Sequence, residues 1–184
     1  MPKYPLLFLI GLHGVGKSTL GRNLAAYHGY RHISLGDLGR LLRSRRIPRD
    51  YSTRFLRLLA AHEPGERMAP DLIAALQTEI ERHNALGPLV VDGFPTEPYH
   101  IMGLPAGCTV IHLHCDDQER ARRLSHRSET TKRKWSDSME SRRDRQLQAV
   151  FDVAIERSDI AAAVVSAHPE PEAIAADIAA KLGT

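Results

Sequence analysis

Apolar positions along the chain fall into short runs with two different periods. Tyr4 to Ile10 is almost continuously apolar, as in a strand buried on both faces. From Thr19 to Tyr27 the apolar residues recur at helical spacing, predicting a helix from about Lys17 to His28 that Gly29 closes. Tyr30 to Ser34 reads as a short extended piece. Gly36 and Asp37 open a helix with Leu38, Leu41 and Leu42 as its apolar stripe, and Pro48 stops it. Ser52 reads as the N-cap of a helix through about Ala61, with Phe55, Leu56, Leu58 and Leu59 inward. Pro70 begins another, to about His83, at the position where proline is tolerated.

Leu89 to Asp92 is a buried strand that ends in a carboxylate, and Gly93-Phe94-Pro95 turns the chain after it. Thr109 to His114 is the next strong strand. Asp116 and Asp117 cap a helix over about Gln118 to Arg127. Ser128 to Trp135 is polar, basic and aperiodic, and reads as a loop. Ser136 or Ser138 starts a long helix to about Glu156, with Met139, Leu147, Val150, Phe151 and Ala154 as its core stripe. Ala161 to Ser166 is a last strand, and Pro169 to Leu182 a closing amphipathic helix. Alternating strands and helices predict an α/β fold with a parallel, right-handed, helix-covered sheet. Three helices fall where a plain alternation has one, and read as an insertion covering a substrate.

Between the first strand and the first helix lies Gly11-Leu12-His13-Gly14-Val15-Gly16-Lys17-Ser18-Thr19. It matches the phosphate-cradling pattern G-x-x-x-x-G-K-[ST] in the strand-to-helix context that pattern requires. The glycines let the backbone curl so that its N–H groups share one concavity at the positive end of a helix. Lys17 would reach the terminal phosphates, and the Ser18 hydroxyl would bind Mg²⁺. Asp92 is the shape of a second element of the magnesium site, against the plain alternative of a helix-capping carboxylate at a strand end. His13 either touches the β- and γ-phosphates or fills a variable position.

Composition adds little that is distinctive. The 184 residues fit one domain, 1–184, and the net charge of +3 does not demand nucleic acid or a membrane. Of the 25 basic residues 20 are Arg, the side chain that grips phosphate with paired hydrogen bonds. Two cysteines exclude a disulfide framework and a four-cysteine zinc site. His112 and His114 share a sheet face but find no third ligand at convincing spacing. The apolar start is too short for a signal peptide or a membrane span, so a cytoplasmic location is expected. A monomer is expected.

In order along the chain come the P-loop, then Ile33-Ser34-Leu35-Gly36-Asp37-Leu38-Gly39-Arg40, then the segment from Gly65 to Leu72. Val90-Val91-Asp92-Gly93-Phe94-Pro95, Arg123-Leu124-Ser125-His126-Arg127 and Arg142-Arg143-Asp144-Arg145 follow. Together these resemble the adenylate kinase family of nucleoside monophosphate kinases, over nearly the whole chain. The resemblance implies a three-layer P-loop kinase fold with a five-stranded parallel sheet, a helical acceptor-binding insertion over about 34–83 and a short lid over about 128–136. It implies transfer of the γ-phosphate of ATP-Mg to a nucleoside monophosphate. ATP would sit on Gly11, His13, Gly14, Val15, Gly16, Lys17, Ser18 and Thr19, with Arg123 against its base. Ser18 and Asp92 would serve the Mg²⁺. The acceptor would meet Leu35, Gly36, Asp37, Arg40, Met68, Gly93, Thr96 and His100. Lys17, Arg127, Arg133 and Arg143 would face the transferring phosphate, with Arg142 or Arg145 able to replace Arg143. Arg43, Arg45, Arg46, Arg120 and Arg122 read better as solvated surface.

The departures gather on the acceptor side. Thr96 stands where the family has an arginine that clamps the acceptor phosphate, Leu35 where it has a hydroxyl residue, and His100 about where a glutamine would read adenine. Losing a bidentate arginine removes a contact worth about 1.5–3 kcal/mol if unreplaced. A kinase for another small acceptor, a modified nucleotide or a hydroxyl compound, is therefore a second expectation. A hydroxyl acceptor would call for a base, for which Asp37 is the candidate carboxylate. A nucleotide-binding regulatory protein with low turnover is a third. Nucleic-acid binding through Arg43 to Arg57 is disfavoured by modest charge and few aromatics.

Overall fold

The computed structural model describes residues 1–131, 142–167 and 170–182. β1 (Leu6–Ile10) leads into α1 (Lys17–Tyr27), β2 (Arg31–Ser34) and α2 (Leu35–Arg43). α3 (Thr53–Ala61) and α4 (Pro70–Asn84) follow before β3 (Leu89–Asp92) and the short α5 (Pro98–Met102). β4 (Thr109–His114), α6 (Asp117–Thr131), α7 (Arg142–Glu156), β5 (Ala161–Ser166) and α8 (Pro171–Leu182) complete the order. The five strands lie as β2-β3-β1-β4-β5, and every pairing is parallel.

Alternation along β1 divides the interior into two layers. Leu6, Phe8 and Ile10 face a core shared with Phe55 of α3, Leu76 of α4 and Phe151 of α7. Leu7 and Leu9 face a second core shared with Leu20 and Leu24 of α1 and Ile178 of α8. Because β1 is central and covered on both sides, all five of its residues are buried, which is why it reads as a continuous apolar run rather than an alternating one. Leu24 is wholly buried, a burial worth about 1.5–3 kcal/mol.

The insertion between β2 and β3 is tied down by a buried carboxylate. Glu79 of α4 is 1% exposed; the Ser52 backbone N–H donates to its Oε1 at 2.9 Å and Arg82 Nη2 to its Oε2 at 2.6 Å. Burial pushes the Glu79 pKa up, but these hydrogen bonds outweigh it and hold the group below its ordinary value. Ser52 caps α3 as its sequence suggests, its hydroxyl accepting from the Phe55 N–H at 3.3 Å.

Several boundaries differ from the sequence reading. β1 begins at Leu6 rather than Tyr4, and α2 begins at Leu35, capped by the Ser34 hydroxyl, rather than at Gly36. α5 lies after the Gly93–Pro95 turn, in a stretch to which the sequence reading assigns no element; Pro98 sits at its first turn and Glu97 with His100 closes a capping box. α6 runs to Thr131, four residues past Arg127, since no Gly or Pro in Ser128–Thr131 interrupts it. The first part of the expected lid over 128–136 is thus helical, and 132–136 lies outside the described residues. So does the expected start of the next helix at Ser136 or Ser138, and Pro169 at the start of the last. Among the described residues no helix is long and apolar enough to cross a membrane.

Candidate active site

The parallel sheet delivers the carboxyl ends of β1, β2 and β3 to one edge. There the chain departs from β1 into Gly11–Gly16 and returns in α1. Gly11, with φ of 148°, lies against β4: a Cβ there would collide with the Leu113 carbonyl oxygen, so the loop's close approach to the sheet requires glycine. Gly16 is the N-cap residue of α1. Lys17 turns back along the loop, its Nζ donating to the carbonyl oxygens of Gly11 at 2.6 Å and Leu12 at 2.7 Å.

Asp92 ends β3 directly beside this loop. Register places it against Leu9 of β1 and Ser34 of β2. It is buried, with its Oδ1 accepting from the Ser34 hydroxyl at 3.2 Å and its Oδ2 paired with His32 Nε2 at 2.9 Å. Burial by itself would raise the Asp92 pKa. The hydrogen bond and charge of His32, the charge of Lys17 and the Ser18 hydroxyl prevail and hold it below the usual carboxylate range. A buried anionic carboxylate and a serine hydroxyl, both hard oxygen donors, suit a magnesium ion or its waters. The donor set fits the ion that the P-loop implies.

A cleft of about 880 Å³ opens over this edge, within the range of small-molecule sites. Its walls bring together most of the residues singled out in the sequence. The P-loop contributes His13, Gly14, Gly16, Lys17, Ser18 and Thr19, and the sheet edge contributes Asp92 and Gly93. The facing wall carries Leu35, Gly36, Arg40 and Met68, and α6 contributes Arg123. Val15 is buried in the core beneath and takes part through its carbonyl, which accepts from Arg123 Nη1 at 3.0 Å. Arg123 also donates to Glu119 at 2.7 Å and to the Ala167 carbonyl at 3.3 Å. Hydrogen bonds from Arg122 and Arg123 hold Glu119 down at about 2.

Other candidates are placed differently. Gly11 and Thr96 line an adjoining hollow of about 50 Å³ between the loop, the turn after β3 and α7, which shares His13, Lys17 and Gly93 with the cleft and also meets Asp144. His100 lines neither space. It is 2% exposed, stacked on Phe94 with ring centroids 4.8 Å apart, and its Nδ1 accepts from the backbone N–H groups of Thr96 at 3.1 Å and Glu97 at 3.2 Å. In the structure His100 supports the turn from within and does not wall the cleft, where the resemblance would put it beside an acceptor base. Asp37 stands in the first turn of α2, in ion pairs with Arg22 at 3.2 Å and with Arg40. The side chains of Arg127, Arg133 and Arg143 lie outside the described residues, as does that of Arg142.

The cleft also contains residues that the sequence reading set aside or passed over. Arg43 and Arg122, read as surface, both border it, as do Arg22, His62 and Glu119. Gly36, Gly39, Arg40 and Arg43 follow the i, i+3, i+4, i+7 spacing of one helix face, a signal present in the sequence. A Cβ at Gly36 would stand 3.3 Å from Arg40 Nη1 and one at Gly39 3.4 Å from Arg43 Nη1. The two guanidinium groups thus lie back over the glycines of the preceding turn.

A family model described as "AAA domain" matches residues 7–148. The structure resembles that of a gluconokinase from Sinorhizobium meliloti 1021, at 21% identity, a TM-score of 0.57, and 97% of this chain and 91% of that chain covered. It also resembles a sugar kinase from Janibacter sp. HTCC2649, at 16% identity, a TM-score of 0.58, and 98% and 95% coverage. At these identities the likeness shows the fold: an α/β P-loop kinase fold with a five-stranded parallel sheet.

Proposed function

This chain belongs to the AAA domain family, and we propose that it is an ATP- and Mg²⁺-dependent kinase that phosphorylates a hydroxyl group of a small sugar-like acceptor. The observation that carries this reading is the position of Asp37. It stands on the helix facing the P-loop, paired with Arg22 and Arg40, which both line the cleft. By contrast, Thr96 lines a smaller hollow that shares His13, Lys17 and Gly93 with the cleft, and His100 is buried. One of the positions expected to read a nucleoside monophosphate, His100, is thus removed from the cleft. The fold shared with proteins described as a gluconokinase and a sugar kinase supports the same reading.

In this mechanism the P-loop N–H groups and Lys17 hold the β- and γ-phosphates, and Ser18 with Asp92 would hold the magnesium ion. The ion supplies charge neutralisation to the polyphosphate. Asp37 accepts a hydrogen bond from the acceptor hydroxyl and orients it in line with the γ-phosphorus. The bond from that phosphorus to the β-γ bridging oxygen breaks as the new bond to the acceptor oxygen forms. The hydroxyl proton passes to Asp37, and ADP leaves. In a loose transition state, orientation of the acceptor matters more than the basicity of the carboxylate. Arg40 and Arg43 supply guanidinium groups to an anionic part of the acceptor.

A coupled assay of ADP release across sugars, sugar acids and nucleoside monophosphates tests this. Turnover of a hydroxyl acceptor, lost in Asp37→Ala with ATP affinity kept, is the expected outcome; ordinary turnover in Asp37→Ala would sink the assignment of Asp37. The second reading, transfer to a nucleoside monophosphate, is favoured by Arg22, Arg40 and Arg43 on the acceptor wall, which suit a phosphate. Turnover confined to monophosphates in the same assay would select it.

A further inference from the structure

His32 is separated from the P-loop in sequence and is not part of the cleft lining, yet it touches the carboxylate that the nucleotide chemistry depends on. It sits two residues before the end of β2. Strand alternation puts His32 and Ser34 on the same side, with Ile33 on the other, in the core. Both polar side chains reach Asp92: His32 Nε2 to Oδ2 at 2.9 Å, Ser34 Oγ to Oδ1 at 3.2 Å. An ionised carboxylate only accepts, so Nε2 carries the proton. Each carboxylate oxygen thus has its own protein donor, which fixes the plane of the group.

The space for the His32 ring is made by α1. Gly21 lies on the helix face that meets β2, and a Cβ there would be 2.7 Å from His32 Cε1 and 2.8 Å from Cδ2. Those are distances real side chains essentially never adopt, so the ring would have to move. Gly21 is buried in mid-helix, where glycine is a poor helix former. Its presence is accounted for by what it admits. Gly21, His32 and Asp92 form one line of contact from the helix through the edge strand to the end of β3.

We propose that His32 is a positioning residue for the magnesium site: it orients the Asp92 carboxylate so that its remaining lone pairs face the ion or its waters, and Gly21 is the clearance that allows it. The inference rests on the ATP-Mg²⁺ part of the proposed function. Partners that orient a ligating group commonly change metal affinity by about 10–100-fold when removed. A merely structural histidine would affect stability and leave metal dependence alone.

The experiment is calorimetric titration of a non-hydrolysable ATP analogue into the full chain, in EDTA and over a series of Mg²⁺ concentrations. Wild type binds more tightly as Mg²⁺ rises. His32→Phe keeps the EDTA affinity but needs about tenfold more Mg²⁺ for the same tightening. His32→Gln, whose amide nitrogen can donate to Asp92, restores most of the wild-type Mg²⁺ dependence. Gly21→Ala, which alters neither polar partner, reproduces the defect of His32→Phe and stands in for it if that variant does not fold. Superimposable Mg²⁺ curves for wild type and Gly21→Ala or His32→Phe would overturn the inference. So would an equal loss of affinity in EDTA and in Mg²⁺. Wild-type binding indifferent to Mg²⁺ would overturn this inference together with the metal-dependent reading on which it rests.

Discussion

The guanidinium of Arg123 donates to the carbonyl oxygen of Val15 at 3.0 Å, which fastens α6 to the phosphate-binding loop. The same side chain reaches Glu119 and the carbonyl that follows β5, so one residue ties three segments beside the nucleotide cleft. Arg123→Ala should weaken ATP-analogue binding by about tenfold and lower stability by about 1–3 kcal/mol, from the charged hydrogen bonds lost. Arg123→Lys should recover little of either, because one ammonium cannot span a fork-shaped set of acceptors. Calorimetry and urea unfolding measure the two effects.

Lys17→Ala should reduce phosphoryl transfer by at least about 100-fold, as expected when a donor aimed at developing charge is removed. The fold should survive, because the hydrogen bonds Lys17 donates to the Gly11 and Leu12 carbonyls stay within one loop. A far-ultraviolet circular dichroism spectrum like that of wild type, together with the turnover assay, checks both halves.

His100→Ala should cost about 2–4 kcal/mol, since it removes a buried ring and leaves two backbone N–H groups without their acceptor. Its ranking of acceptors should match wild type, because the ring does not border the cleft. A changed preference among acceptors at unchanged stability would return His100 to the role that the family resemblance implied.

Stability should fall as pH drops below about 6.5. Burial first, then the charges of Arg82 and Arg31, lower the His83 pKa from its ordinary value. Burial first, then His114 and Lys17, lower that of His112. An unfolded chain takes up protons near the ordinary value that these folded groups refuse, so unfolding is favoured progressively as acid is added. Glu79 and Asp92, held below their ordinary values, extend the loss into the carboxylate range. Urea midpoints measured from neutral to mildly acid pH should show this slope, and a shallower one in His83→Phe.

The strands and the longer helices could be read from the chain because their signals are local. β3, β4 and β5 coincide with the apolar runs that announced them, and Ser52 and Pro70 mark helix starts by their own chemistry. The P-loop was legible for the same reason: its function lies in backbone geometry that glycine spacing encodes. What could not be read depends on contacts between distant segments. Nothing near His32 announces that register will set it beneath Asp92, or that Gly21 will clear its ring. Arg43 and Arg122 were read as surface because exposure and cleft lining are compatible for a long side chain at a rim. The burial of His100 was not legible either, because it follows from a turn that curls into its own short helix.

The pairing of Ser34 with Asp92 has a consequence for how this chain can vary. A shift of one position in β2 would bring Ile33 under the buried carboxylate and turn both polar neighbours toward the opposite layer. Helix α2 starts at the very next residue, so the same shift would rotate its glycine-and-arginine face out of alignment. Changes in length between α1 and β2 must therefore be absorbed wholly within the turn around Gly29. Anything that leaked into the strand would damage phosphate handling and acceptor recognition in a single event.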